Sequence, residues 1–229
     1  VRLGAAQWML GAFREAVETL QNSRTSIPGA FFLGRALLSL GRTEEGAEIL
    51  EKTVNRKPQS ESVRVAAVEG MLRAGRIEDA LGALKETEEA MGPSAKTVAL
   101  LGWARDLTGD HERARETYRQ ALEMDEFHPD ALFRLAYSMD LYGDDDEAIA
   151  LYEKCTALPR PNVNALINLG VLYEDRNEYE KAIRCYKAVL ESYPNHARAE
   201  AFLQESLSSL DEEVDEERER LKDRRFQIL

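Results

Sequence analysis

"NLGVLYEDRNEYEKAIRCYKAVLESYPN", residues 168–195, places Leu169, Gly170, Tyr173, Ala182, Tyr186 and Pro194 at offsets that recur along the chain every 34 residues. In frames beginning at Ile27, Glu61, Ala95, Pro129 and Val163, the seventh and eighth positions read Leu33-Gly34, Ala67-Val68, Leu101-Gly102, Leu135-Ala136 and Leu169-Gly170. The twentieth position reads Gly46, Ala80, Ala114, Ala148 and Ala182, and the twenty-fourth Leu50, Leu84, Tyr118, Tyr152 and Tyr186. A shortened unit precedes them, with Leu3-Gly4, Phe13, Ala16 and Leu20 in equivalent places. Self-similarity at a fixed period dictates architecture before any local preference does.

Each frame holds two amphipathic segments around a turn: Gly41-Arg42, Gly75-Arg76, Gly109-Asp110, Gly143-Asp144 and Arg176-Asn177. Glycine suits the left-handed end of a helix, and the Thr or Asp that follows is expected to cap the next one. Pro58, Pro93, Pro129, Pro159, Pro161 and Pro194 are expected to interrupt helices at their ends. Small residues recur where two helices must touch. Two antiparallel helices per frame, stacked on their neighbours and needing a cap at each end, is the consequence. "ARAEAFLQESLSSL", 197–210, supplies Ala197, Ala201, Phe202 and Leu203 for the C-terminal cap. The following "DEEVDEERERLKDRR" keeps helical spacing through Leu210, Val214 and Leu221 with charge pairs such as Glu216 with Arg220. It reads as a solvated or partner-bound helix, with disorder as the alternative.

These features resemble the tetratricopeptide repeat (TPR) family over residues 1 to about 196, most closely at 163–196, where Leu166, Leu169, Gly170, Tyr173, Tyr179, Ala182, Tyr186 and Pro194 fall on family positions. Ala67, Val68 and Met71 depart from the pattern, as does Gly46 where Ala is usual. The resemblance implies an all-α fold: a right-handed α-α superhelix whose first helices line a concave groove. It would comprise a partial unit at about 1–26, five full repeats at 27–60, 61–94, 95–128, 129–162 and 163–196, and a capping helix with a charged extension at 197–229. The last third, through "RRFQIL", also resembles bacterial TPR proteins whose repeats lead into a domain similar to the C-terminal domain of the RNA polymerase alpha subunit. That domain would begin after Leu229. The resemblance implies a link to transcription, and no DNA-binding residue carries over to this segment.

Forty-two acids against 30 bases give a formal net charge of −12 over 229 residues, which disfavours binding to nucleic acid or an anionic membrane and favours basic partners. No apolar run reaches the roughly 18–20 residues a bilayer span needs, and the first ten residues lack a signal-peptide layout. Cys155 and Cys185 have no disulfide or metal-ligand spacing, so a reducing, cytoplasmic setting is expected, with both as core residues. His111 stands apart, while His128 and His196 share one junction position and read as junction polar residues. "DDDE", 144–147, suggests a site for a hard cation, but its place at the start of a second helix makes capping and dipole complementarity the simpler reading. With no phosphate loop, nucleophile elbow or HExxH, no enzyme and no cofactor are expected.

In the resembling family, ligand-facing side chains occupy positions 2, 5, 9, 12 and 13 of each first helix, which share one face. Positions 5 and 9 here read Phe31 and Arg35, Val65 and Glu69, Ala99 and Trp103, Phe133 and Tyr137, Ile167 and Val171. The Lys, Asn and Arg set with which relatives clamp a terminal carboxylate is missing. Position 12 changes from Trp8, Leu38 and Leu72 to Asp106, Asp140 and Glu174, with Asp175 beside the last. Acids on adjacent first helices about 10 Å apart would form a rail beside the aromatic anchors. The reading is a scaffold that captures a peptide or helix with apolar anchors and basic residues. Trp103, Phe133 and Tyr137 as inter-repeat core, the acids as mere solvation, and a homo-oligomerising module exposing Trp8 and Phe13 are the alternatives.

Overall fold

The computed structural model describes residues 1–57 and 59–226, excepting the side chains of 217–219 and 221–226. Pro58 and the side chains of Leu221 and of "RRFQIL" lie outside what is described. Thirteen helices and no strand occur among the described residues: α1 Arg2–Met9, α2 Phe13–Gln21, α3 Ile27–Ser39, α4 Thr43–Arg56, α5 Glu61–Arg73, α6 Ile77–Met91, α7 Ala95–Leu107, α8 His111–Met124, α9 Pro129–Tyr142, α10 Asp145–Thr156, α11 Val163–Asp175, α12 Tyr179–Ser192 and α13 Ala197–Phe226. Paired helices in every 34-residue frame make this an all-α repeat fold. The chain divides into two compact units, Val1–Ala131 and Leu132–Leu229.

The turn inside each pair is set by one residue with left-handed backbone. Gly41, Gly75, Gly109 and Gly143 have φ of 76–83°, and Asn177 takes the same place at 58°. Beyond it the chain closes back on the first helix: the amides of Arg42, Arg76, Asp110, Asp144 and Glu178 donate to the carbonyls of Leu37, Met71, Arg105, Met139 and Tyr173. Those carbonyls would otherwise be orphaned at the helix end. The expected cap for the second helix is realised once, where Asp110 accepts from the Arg113 amide at 3.4 Å. Thr43 is instead the first helical residue and Asp144 caps nothing through its side chain. The backbone closure already holds this end, so a side-chain cap is dispensable.

Prolines act as expected at three exits: α6, α10 and α12 end before Pro93, Pro159 and Pro194. Pro129 differs, because it begins α9. A first helical residue needs no amide partner, so proline is favoured there.

Inside the repeats, the residue at position 8 sits against position 24. An added Cβ at Gly34 would lie 2.6 Å from Leu50 Cγ, and at Gly102 and Gly170 it would lie 2.5 Å from the rings of Tyr118 and Tyr186. All three opposing side chains are fully buried, as is the alanine at position 20 of the last four frames. The missing side chain on the first helix is therefore the space the large one occupies.

Candidate partner-binding faces

Position 12 of each first helix meets position 24 of its own second helix, and the two change together. In the partial N-terminal repeat Trp8 packs against the cluster that holds Leu20. Leu38 and Leu50 share one apolar cluster, and Leu72 and Leu84 another. From α7 onward the pair becomes acid with tyrosine: Tyr118 Oη donates to Asp106 Oδ2 at 2.7 Å, Tyr152 Oη to Asp140 Oδ2 at 3.3 Å, and Tyr186 Oη to Glu174 Oε2 at 2.9 Å. A buried phenol needs an acceptor, and the carboxylate provides one. Burial and the neighbouring carboxylate hold the Tyr186 hydroxyl protonated well above the usual tyrosine range.

The acids are thus not a free-standing rail. Asp106 also faces His111 Nδ1 at 3.2 Å. Glu174 has both oxygens engaged, since Ser206 of α13 donates to Oε1. Asp140 keeps the most capacity: its carboxyl is pushed up by burial and by Asp145 and Asp175, against the Tyr152 hydrogen bond that lowers it. Tyr152 in turn accepts from Asn168 Nδ2 at 2.9 Å, tying α10 to α11. The Glu174–Tyr186 bond gives a direct test. In a double-mutant cycle of Glu174→Gln and Tyr186→Phe, we expect a coupling of about 1.5 kcal/mol by urea denaturation, typical of a hydrogen bond to a charged group. Additive effects would show the bond contributes nothing.

In the compact unit Val1–Ala131 the expected site residues are half-buried and already engaged by neighbours. The Arg35 guanidinium lies 5.0 Å from the Trp8 ring centroid and 3.3 Å from Glu69, which also pairs with Arg73 at 2.8 Å. Phe31 packs edge-on to Phe32 and against the Leu38–Leu50 cluster. Trp103 is half-buried and packs against the cluster that contains Val68, Met71 and Leu72. Trp8 is not bare either, being tilted over Phe32 at 5.8 Å. Exposed apolar side chains at and just beyond α1 are instead Leu3, Met9 and Leu10.

The second unit presents a different face. Phe133 stacks on Tyr137 with centroids 6.2 Å apart, and Tyr137 is 46% exposed. One turn on, Leu141 is 67% exposed, so α9 carries an apolar pair in water beside Asp140. Val171 is half-buried. Ile167 is only 2% exposed, packed with Leu166, Val189 and Ala199, and is therefore core. The capping helix α13 covers it. Leu141 was reachable from sequence, being position 13 of its frame beside an anchor at position 9.

Of the acids at 144–147, Asp146 pairs with Arg176 at 2.7 Å, and three lie in the first turn of α10. Among the described residues no group of His, Cys, Asp and Glu could hold a metal ion. Both cysteines are buried thiols, and burial pushes Cys185 up to about 11. Among the described residues, no helix is long and apolar enough to cross a membrane.

Residues 99–160 and 163–196 each match the tetratricopeptide repeat, and residues 3–100 match the bacterial transcriptional activator domain. The chain is accordingly a TPR-repeat protein. It is similar to a thermophilic TPR protein of Thermus thermophilus, with 19% identity, a TM-score of 0.65, and coverage of 80% of this chain and 99% of that one. A tetratricopeptide repeat protein from Parabacteroides merdae superposes with a TM-score of 0.71 at 15% identity, over 90% of this chain and 82% of that one. In sequence, the BBSome complex member bbs-4 of Caenorhabditis elegans is 20% identical over 182 residues, 80% of this chain. The chain spans 39% of that relative's length.

Proposed function

We propose that this protein is an interaction scaffold, and that the face of α9 captures a peptide or helix carrying an apolar anchor and a basic residue. The observation that carries the reading is the exposure of Tyr137 and Leu141 one helical turn apart beside Asp140. Apolar side chains left in water at helical spacing match the spacing of anchors on an amphipathic ligand. Burial, and after it the nearby Asp145 and Asp175, raise the Asp140 carboxyl, and a cation seated there would offset both. The repeats are built for protein contact rather than chemistry, in keeping with a relative that belongs to a multi-protein complex. The match of residues 3–100 to a bacterial transcriptional activator domain supports a setting in transcription.

Capture of partners on the full chain, followed by peptide mapping, supplies the ligand for the test. Tyr137→Ala is expected to weaken its binding by about 2 kcal/mol, mainly through faster dissociation, as loss of a central aromatic does. Titration calorimetry and stopped-flow measure the two quantities. Unchanged affinity with an intact circular dichroism spectrum rejects the α9 face.

A second reading, self-association, is favoured by one observation: Leu3 and Leu10, seven residues apart along α1 and its C-cap, lie on one helical face and are exposed at 64% and 84%. Sedimentation over a concentration series separates the two, because a chain that stays monomeric at high concentration excludes it.

A further inference from the structure

The residue just before each first helix forms a row of its own: Ser26, Ser60, Ser94, His128, Asn162 and His196. Most of them cap. Ser26 Oγ accepts from the Gly29 amide at 3.1 Å, Ser94 Oγ from Thr97, and Asn162 Oδ1 from Asn164 and Ala165, while Ser60 makes no such bond. The two histidines use a ring nitrogen for the same purpose. His128 Nδ1 accepts from the Ala131 amide at 3.3 Å, and His196 Nδ1 accepts from Ala199 at 3.2 Å.

Of the three side-chain types in this row, only imidazole loses its acceptor when a proton binds near neutral pH. We propose that His128 is a proton-operated N-cap: neutral, its Nδ1 lone pair holds the Ala131 amide and fixes the first turn of α9; protonated, it releases that amide and loosens the turn. Three features support the assignment. The ring is 6% exposed, so the amide has no ready access to replacement water. An imidazolium there would place positive charge against the positive end of the helix dipole. The charged groups that face the ring, Asp125 and Asp130 on one hand and Lys96 of α7 on the other, are outweighed by burial, which lowers the ring's affinity for protons.

The sign follows from linkage. A histidine harder to protonate when folded than when unfolded stabilises the fold above the ordinary value of 6.5; that contribution is lost as pH falls from there toward the lowered folded value. The turn leads directly into Phe133 and Tyr137, so acidification would disturb that face whether or not a ligand is bound.

Hydrogen exchange by NMR on the full chain, between pH 7.5 and 5.5 and corrected for intrinsic rates, provides the test. Protection of the Ala131 amide is expected to fall on the order of five-fold toward pH 5.5, the size of a lost cap. His128→Asn, which installs the cap Asn162 already uses, should abolish that step while keeping protection at pH 7.5. An equal step in His128→Asn overturns the proposal, and so does a flat wild-type profile. Should the variant fail to fold, the wild-type ring decides: Nε2–H tautomer with titration below 6.5 supports the cap, and titration at or above 6.5 rejects it.

Discussion

Gly170→Leu is expected to destabilise the protein by about 3 kcal/mol, at the upper end of the usual overpacking cost. A Cβ at 170 would sit 2.5 Å from Cε1 and 2.6 Å from Cζ of Tyr186, well inside van der Waals contact. The ring cannot retreat: it is fully buried, its hydroxyl is held by Glu174, and Phe202 of α13 packs against it at 5.5 Å. Moving it would break the bond that ties α11 to α12 and disturb the cap. Gly82→Ala is the matched control, because a Cβ there meets nothing within 4 Å. On an exposed helix it should stabilise by roughly 0.5–1 kcal/mol through propensity alone. Melting temperatures read the difference, at about 2–4 °C per kcal/mol for a chain of this size. Equal melting of Gly170→Leu and wild type would mean that α11 and α12 do not pack through this row.

The same geometry explains what was and was not legible in the sequence. Small residues at positions 8 and 20 and large ones at position 24 are a periodic signal, and period alone fixed the helix pairs and their turns. Asn177 could be placed in the turn column with four glycines because it tolerates left-handed backbone. What the columns do not display is contact between them. Asp106, Asp140 and Glu174 lie in one column and Tyr118, Tyr152 and Tyr186 in another, twelve residues away. Read singly, the acids suggest either a ligand-facing rail or a solvated helix face; paired, they are acceptors for buried phenols. The switch of both columns at the same repeat, Leu with Leu before α7 and acid with Tyr from α7 on, was the available clue. Ile167 failed for a different reason. Its position is groove-facing in a repeat bordered by open space, whereas here α13 lies over it. Burial in a terminal repeat depends on the element packed beyond it, which a repeat frame does not encode.

Because α13 closes the last repeat, a chain ending at His196 is expected to lose the stability of that repeat and to aggregate. The cut removes Ala199 and Phe202 from the cluster they form with Leu166, Ile167 and Val189, and it removes the Ser206 hydroxyl from Glu174. Deleting a packed phenylalanine alone costs on the order of 3 kcal/mol. The exposed apolar face then has no covering element, and in a solenoid each repeat depends on its neighbour. Removing only residues 215–229 should be mild, because the Glu216–Arg220 pair it takes away is 70–77% exposed and such pairs contribute about 0.3–0.5 kcal/mol. Light scattering, dye binding to exposed apolar surface and urea denaturation of the two truncations make the comparison. If the chain ending at 196 is as soluble and as stable as the one ending at 214, α13 is not the cap, and the cluster around Ile167 is stable against water without it.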